Sequence, residues 1–288
     1  MKISLSSVFY VAVLAFTALS TCSQAAALPV VLEKRGISGI NNFACKLTPA
    51  HPRPLLLVHA TLLNLDSWST FAPYFIDEGY CVFALTYGRY NNIPVVGGLA
   101  PIEDSAQELA TFADNVLARM NATQLDYVGH SQGGILGRYW MKYLGGAGKV
   151  NRMVGIAPIT HGTTLSGMAT IAKALQIFDP SQPLFDGVAP SFFQMVESSD
   201  FMKKLNAGGD VAPGVVHSNI ATRFDEVVTP WETCFQNGPG VTNMVLQDLC
   251  MLSLNEHLTI INSKVVLRFV LNQLSPATAK TANCLSVF

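Results

Sequence analysis

The sequence predicts an α/β domain built on a mostly parallel, doubly wound sheet. Short apolar runs rich in β-branched residues alternate along the chain with amphipathic helical patterns, and this alternation is typical of that architecture. The runs are apolar almost throughout, which indicates strands covered by helices on both faces. Hydrophobic residues make up 50% and charged residues 13% of the 288 residues, so a large buried core can form.

Six segments have the composition of buried strands. They are residues 55–58, 81–85, 125–128, 153–156, 215–221 and 241–246. Apolar residues at helical spacing predict a helix from Trp68 to Ile76, capped by Asp66 or Ser67. Further helices are predicted from Leu109 to Met120 and over residues 263–274.

The amino-terminal segment predicts secretion. Lys2 precedes an apolar run from Ile3 to Leu19, and small residues follow through Ala27. This is the pattern of a signal peptide, expected over residues 1–25. The alternative is an anchor that is retained in the membrane.

Residues 26–35 end in Lys34-Arg35, a pair that dibasic processing proteases cleave. We expect a propeptide there and a folded domain over 36–288. The one N-glycosylation sequon begins at Asn121, which is expected to be a glycosylated surface residue. The net charge of −1 without a basic stripe disfavours a nucleic-acid partner. No later segment is apolar enough to span a membrane.

A Gly-x-Ser-x-Gly pattern at residues 129–133 follows the strand at 125–128 and opens a helical stretch. In the α/β-hydrolase fold the nucleophilic serine sits on a strained turn between a strand and a helix. The positions two before and two after that serine leave no room for a side chain. We therefore expect this fold, with Ser131 as the nucleophile.

A serine hydroxyl is a weak nucleophile until a base takes its proton, and an acid must orient the base. In this fold the acid and then the histidine follow the serine along the chain. Asp225 stands just past the strand at 215–221, and His257 is the one histidine after it. The sequence thus predicts Asp225 as the acid and His257 as the base, with Glu226 as the alternative acid.

The reaction also needs hydrogen-bond donors for the oxyanion. One is the backbone N–H of Gln132, and the second is Thr61, in the loop after the first strand. The alternative for Thr61 is an ordinary polar loop residue. Neither a metal nor a cofactor is expected, because no histidine or cysteine cluster has metal-ligand spacing. Four other histidines are expected to be structural. His130 should pack or form a hydrogen bond beside the serine turn, and His59 should cap the first strand. His161 and His217 do not fit the chain order.

The segment 163–209 interrupts the alternation of strands and helices. One interpretation is a helical cap that lines an apolar substrate site. The other is a helical excursion that packs on the core. The segment is rich in large apolar residues, namely Leu165, Met168, Ile171, Leu175, Ile177, Phe178, Phe185, Phe192, Phe193 and Phe201.

Five blocks carry a family resemblance. They are LLLVHAT at 55–61, GYCVFALTYG at 79–88, VGHSQGG at 128–134, TRFDEVVTP at 222–230, and LQDLC with EHL at 246–258. In this order they resemble the extracellular class 2 triacylglycerol lipases of bacteria and fungi. More distantly, they are similar to the yeast lipase B used in biocatalysis.

Matched position by position, the resemblance implies the same five site residues. It implies hydrolysis of acylglycerol-like esters without a metal or cofactor, with a lipid–water interface as an expected partner. One position departs from the family, which usually has His-Gly where His59-Ala60 stands. The Ala60 methyl group is expected to restrict the backbone and narrow the acyl pocket.

The cysteines predict disulfide bonds, as secretion makes them the default. Of six cysteines, Cys22 falls in the leader and five remain. The resemblance implies the pairs Cys45–Cys81 and Cys250–Cys284, which leaves Cys234 free.

Two rival functions stay open. A short-chain carboxylesterase or polyester-cleaving esterase would use the same triad, and the 163–209 segment and the pocket depth would distinguish it. A catalytically silent binding protein of the hydrolase fold is the second rival. The intact serine, aspartate and histidine argue against it.

Overall fold

Six strands form one sheet in which each recorded pairing is parallel. The strands are β1 (Leu55–Val58), β2 (Val82–Leu85), β3 (Leu125–His130), β4 (Val150–Ile156), β5 (Val216–Ala221) and β6 (Thr242–Val245). Their order is β2-β1-β3-β4-β5-β6. The predicted α/β fold with a doubly wound parallel sheet is therefore confirmed, with a strand at each of the six predicted places.

The computed structural model describes residues 36–90, 95–164, 166–167, 169–171 and 189–286. The predicted signal peptide and propeptide, residues 1–25 and 26–35, lie outside the described residues. In the described part of the chain, none of the helices is long and apolar enough to cross a membrane.

Seven helices of the described residues have defined bounds. They are α1 (Phe71–Asp77), α2 (Ile102–Met120), α3 (Gln132–Tyr143), α4 (Pro190–Gln194), α5 (Asp200–Asn206), α6 (Leu246–Leu249) and α7 (Lys264–Leu274).

The start predicted for the first helix is wrong. A 3-10 turn over Leu65–Ser69 comes first, and the side chain of Asn64 caps it by accepting the N–H of Asp66 at 2.8 Å. The α-helix begins only at Phe71, with Pro73 in its first turn. Proline is tolerated there because its missing N–H would have no partner within the helix.

The strands are buried on both faces, as a parallel sheet covered by helices requires. All four side chains of β1 are inaccessible to solvent. Helix α2 ends at Met120 and is followed by its cap residue Asn121, which is exposed and lies in the left-handed region with φ of 50°. Asparagine is favoured at this position, and its glycosylation stays a prediction.

Two disulfide bonds are present, Cys45–Cys81 and Cys250–Cys284. The first joins the chain before β1 to the residue before β2. The second joins the residue after α6 to the carboxyl-terminal segment. Cys234 is unpaired and fully buried, and burial raises the pKa of its thiol well above the ordinary value.

The 163–209 segment is described in part. Phe192 and Phe201 pack in the main core, Ile171 is buried, and Phe193 is exposed. A single parallel bridge pairs Thr163 with Val196. Six of its apolar residues lie outside the described residues, namely Leu165, Met168, Leu175, Ile177, Phe178 and Phe185.

Two of the histidines expected to be structural hold loops of the core. The Nε2 atom of His217 accepts the N–H of Ala212 at 3.1 Å. The Nε2 atom of His161 lies 3.1 Å from a carboxylate oxygen of Asp210. Arg138, a buried cation of α3, lies 3.2 Å from the other oxygen of that carboxylate.

Stability should fall in mild acid because neutral histidines are buried. Burial lowers the pKa of His217 and of His59 from 6.5 to about 4. Above pH 6.5 both rings are neutral in the folded and the unfolded chain, so their full stability contribution is present. Between pH 6.5 and 4 the two histidines become protonated in the unfolded chain but stay neutral in the folded chain. The free energy of unfolding then decreases by up to about 3 kcal/mol for each ring.

The His217→Gln variant isolates one of these contributions. An amide oxygen can accept the Ala212 N–H without titrating, so the variant should lose less stability than the wild type on acidification. Urea unfolding between about pH 7 and about pH 4.5 measures both slopes. Equal slopes for the two proteins would contradict this account.

Candidate active site

Ser131 occupies the turn between β3 and α3. Its φ of 54° and ψ of −120° lie in a region that residues with a side chain rarely adopt, and such strain persists only where the surroundings impose it. A Cβ atom on Gly129 would lie 2.6 Å from the backbone of Gly133, and one on Gly133 would collide with the carbonyl of Val58. The two glycines therefore allow the turn to close against β1.

Hydrogen bonds join Ser131, His257 and Asp225 in one chain. The Nε2 atom of His257 lies 2.8 Å from the Ser131 Oγ, and its Nδ1 lies 2.8 Å from the Asp225 Oδ2. The side chains of His257 and Asp225 are 2% and 0% exposed. The carboxylate can only accept from Nδ1, so Nδ1 carries the proton and the Nε2 lone pair faces the serine hydroxyl. This arrangement can remove a proton from the hydroxyl.

The Asp225 carboxylate is itself held in place by the backbone. Its Oδ1 atom accepts the N–H groups of Val227 at 3.0 Å and Val228 at 2.6 Å. These bonds leave Oδ2 directed at the imidazole. The Asp225 carboxylate therefore holds the His257 ring in a fixed geometry.

The site lies where the order of the strands reverses, because β1 has β2 on one side and β3 on the other. Ligands of doubly wound sheets bind at this point. Thr61 follows β1 and lines a cavity of about 120 Å³ together with Ser131 and His257. Ala60 lines the same cavity, and its effect on the acyl pocket stays a prediction. Gln132 begins α3, where the first backbone N–H groups of a helix favour negative charge.

A sequence profile described as "Lipase (class 2)" matches residues 52–269 of the chain. The chain belongs to the class 2 lipase family. Membership confirms the family resemblance of the five sequence blocks.

Known proteins are similar to this chain at low sequence identity. Lipase B of Aspergillus fumigatus is 19% identical with a TM-score of 0.62, over 80% of this chain and 53% of that chain. A Bacillus licheniformis lipase in its mature form is 15% identical with a TM-score of 0.58, over 80% of this chain and 94% of that chain. A non-heme haloperoxidase of Rhodococcus erythropolis is 23% identical over 167 residues, which are 58% of this chain and 59% of that protein. The chain thus spans less than two thirds of the haloperoxidase and of the Aspergillus lipase.

Glu226, the alternative acid, contacts the backbone of His257 rather than its imidazole ring. Its carboxylate accepts the His257 N–H at 3.4 Å. Partial burial raises the pKa of Glu226. Of the two neighbouring carboxylates, Asp225 is therefore the one that orients the ring.

Three residues that no sequence pattern indicates hold the side chains of the two expected oxyanion donors. The Tyr87 hydroxyl donates to the Gln132 side chain at 2.9 Å. The amide of that side chain donates to the carbonyl of Gly98 at 3.1 Å. The Met195 sulfur accepts from this amide at 3.5 Å and from the Thr61 hydroxyl at 3.6 Å. No sequence pattern links these positions, so tertiary contact alone identifies them.

His130 contacts the backbone of the same histidine loop. Its Nε2 atom lies 2.9 Å from the carbonyl oxygen of His257, and the side chain is fully buried. Burial lowers the pKa of His130 well below its ordinary value, so the ring is neutral. Because a carbonyl only accepts, Nε2 is the protonated nitrogen of His130. His130 was expected beside the serine turn, and the structure adds its contact with the histidine loop.

His59 also lies beside the expected oxyanion loop. Its Nδ1 is 2.7 Å from the Ala60 carbonyl, and its ring stacks on Tyr87. Its Nε2 accepts the Tyr87 N–H at 3.3 Å. The ring therefore supports the loop that carries Thr61.

Cavity volume alone does not mark the site. A cleft of about 730 Å³ lies at the amino ends of the strands, lined by Arg53, Arg152 and Lys280 among others. It is larger than the cavity at Ser131 but contains no part of the hydrogen-bonded chain. Within the described residues, no group of three or more His, Cys, Asp or Glu side chains could hold a metal ion.

The His130 hydrogen bond should affect the reactivity of Ser131. His130→Ala removes the donor to the His257 carbonyl and should slow fluorophosphonate labelling about fivefold, the equivalent of a hydrogen bond of about 1 kcal/mol. His130→Gln keeps a donor and should label at close to the wild-type rate. Rates are compared across pH, with melting temperature as the control for folding. Wild-type labelling by His130→Ala would contradict a positioning role.

Proposed function

We propose that this protein is a secreted serine hydrolase that cleaves carboxylic esters and that its substrates are triacylglycerols. The observation that carries the proposal is the chain of two 2.8 Å hydrogen bonds from Asp225 through His257 to Ser131. A serine on a strained turn, bonded to an oriented histidine, is the arrangement that acyl transfer requires. Family membership supports the same reaction class.

In the proposed reaction, His257 takes the proton of Ser131 as the serine oxygen attacks the ester carbonyl. The backbone N–H of Gln132 and Thr61 donate to the oxyanion that forms. The protonated histidine then gives its proton to the leaving alcohol, which departs and leaves the acyl group on the serine. A water molecule, deprotonated by the same histidine, attacks the acyl-enzyme. The carboxylic acid leaves and the serine recovers its proton.

The walls of the cavity support an apolar acyl chain as the group that is bound. Leu63, Ile171, Val227 and Leu258 line it beside the serine. Each methylene removed from water contributes about 0.8 kcal/mol. A short-chain carboxylesterase or polyester-cleaving esterase is the rival within the same chemistry, and chain-length dependence separates it from a lipase.

Secretion is part of the proposal. The leader pattern at residues 1–25 and the dibasic pair at Lys34-Arg35 support an exported chain that is processed. Two disulfide bonds fit an oxidising compartment. The exposed sequon at Asn121 is accessible to glycosylation.

Substitution of the serine or the histidine should abolish most of the activity. Ser131→Ala and His257→Ala should each lower kcat by several orders of magnitude, about 10³-fold or more, and the double variant should lose little further, because the pair acts as a unit. Kinetics on p-nitrophenyl butyrate measure this. Ser131→Ala with a tenth of wild-type activity would refute the triad. A wild type that is inert towards every ester would favour the binding protein.

A charge placed in the acyl cavity should lower the activity on long-chain esters more than the activity on short-chain esters. Ile171→Asp should lower kcat/KM for laurate esters far more than for acetate esters, because only the long chain fills the apolar cavity. Phe193→Asp is the matched control, since Phe193 lies in the same segment but is exposed to solvent. Melting temperatures are measured on both variants. Equal losses on the two esters, with a lower melting temperature, would show that Ile171 only packs on the core.

A further inference from the structure

The cleft of about 730 Å³ lies at the amino ends of the strands, whereas Ser131 follows the carboxyl end of β3. A volume of several hundred Å³ is typical of sites for small molecules. Its wall combines three parts of the chain: Arg53 just before β1, Arg152 in β4, and the end of α7 with the residues that follow it. The proposed ester hydrolysis uses none of these residues, so the cleft calls for a separate explanation.

Positive charge is concentrated in the wall of this cleft. The wall contains one carboxylate, that of Glu78, and four cationic side chains, namely Arg53, Arg152, Arg268 and Lys280. The chain as a whole has a net charge of −1, so this concentration is local. Clefts lined by charge of one sign attract ions of the opposite sign. The composition of the wall therefore favours an anionic ligand.

Arg53 keeps most of its hydrogen-bond donors free. Its Nε atom donates to both carboxylate oxygens of the buried Asp126, each at 3.2 Å. A guanidinium group carries five N–H donors. In the described part of the chain, the two terminal nitrogens of Arg53 have no hydrogen-bond partner. Because the side chain lines the cleft and is 27% exposed, these N–H groups are available to a ligand.

Two further cations of the wall, Arg152 and Lys280, have no carboxylate within ion-pair distance among the described residues. Arg152 donates one Nη to the Gln273 carbonyl at 3.2 Å, a contact that caps the carboxyl end of α7. The backbone of Lys280 is held by the Asn272 side chain, through hydrogen bonds of 2.9 and 2.6 Å. Capping of α7 thus accounts for one donor of Arg152 and for no part of the Lys280 ammonium group.

The rest of the wall suits an organic molecule. The His51 and Tyr80 rings lie against each other, with their centroids 3.9 Å apart, and Leu271 lies in the same wall. Arg268 is only 4% exposed, so solvent screens its positive charge weakly. The cleft therefore presents an aromatic and aliphatic surface together with its cations.

We propose that this cleft binds a phosphomonoester, an organic molecule that carries a doubly negative phosphate group. Planar guanidinium groups match phosphate oxygens in a bidentate geometry, and Arg53 and Arg152 both retain donors for it. A phosphate monoester has nearly two negative charges at pH 7, which match the two cations without a carboxylate partner. The organic part lies against the rings of His51 and Tyr80. This site and the proposed ester hydrolysis are independent, so the failure of one leaves the other standing.

Isothermal titration calorimetry with three probes tests the site. Phenyl phosphate is the monoester, phenyl sulfate has nearly the same shape with one negative charge fewer, and inorganic phosphate lacks the organic group. Phenyl phosphate should bind about tenfold more tightly than phenyl sulfate, because it makes one more charge-assisted interaction. It should also bind more tightly than inorganic phosphate. All titrations use full-length Ser131→Ala protein at one ionic strength, which excludes turnover and keeps charge screening constant.

Substitutions in the wall locate the binding. Arg152→Gln with Lys280→Gln removes the two cations without a carboxylate partner, while the new amide at 152 can still donate to the Gln273 carbonyl. Each lost charge should weaken the binding of phenyl phosphate about tenfold, and the double variant about a hundredfold. The matched control is Lys149→Gln with Lys203→Gln, which removes the same charge from outside the cleft. Melting temperatures without ligand check folding. If the double variant unfolds, Lys280→Gln alone, at an exposed position, should still show its tenfold loss.

The proposal is supported if phenyl phosphate binds and only the cleft variant loses affinity for it. No saturable binding below about 10 mM overturns the proposal. Equal losses in the cleft variant and the control variant also overturn it, because they would show nonspecific attraction to a cationic protein surface. Equal affinity for phenyl phosphate and phenyl sulfate would exclude a site for a doubly charged group. Tighter binding of inorganic phosphate than of phenyl phosphate would replace the monoester with the free ion and overturn the assignment.

Discussion

The closed turn at Ser131 is the constraint on which the rest of the site depends. A non-glycine residue with φ of 54° persists there because β3 is paired with β1 on one side and β4 on the other. Gly129 and Gly133 let the turn and the first residues of α3 approach each other and the Val58 carbonyl. The hydroxyl is thereby presented at the edge of the sheet where both the histidine loop and the Thr61 loop can reach it.

The histidine loop is positioned by three groups from separate parts of the chain. Asp225 holds the ring of His257, Glu226 accepts its backbone N–H, and His130 donates to its carbonyl. Because these groups are fixed before a substrate binds, little reorganisation is needed when charge develops. The same rigidity extends through Cys250 to the exposed leucines beyond it. The fixed position of His257 and the exposure of Leu252 and Leu254 are therefore two consequences of one rigid loop.

Much of the fold could be predicted because its determinants are local. The strands are short apolar runs, and helix α2 shows a clear apolar stripe behind an acidic first turn. The residues of the serine turn are neighbours in sequence, and their glycine spacing reflects a steric limit that holds in any chain of this fold. Chain order predicts Asp225 and His257 as partners, and the two side chains lie 2.8 Å apart in the structure.

The sequence by itself determined the fold class, the turn at Ser131 and the candidates for acid and base. Only the tertiary structure decided which groups support them. His130 and His257 are 127 residues apart, and Gln132 and Met195 are 63 apart. Contacts over such separations depend on how strands and loops are arranged in space, and no periodicity or spacing encodes them. The 3-10 turn before α1 and the exposed leucines after Cys250 have the same origin, since packing around them decided both.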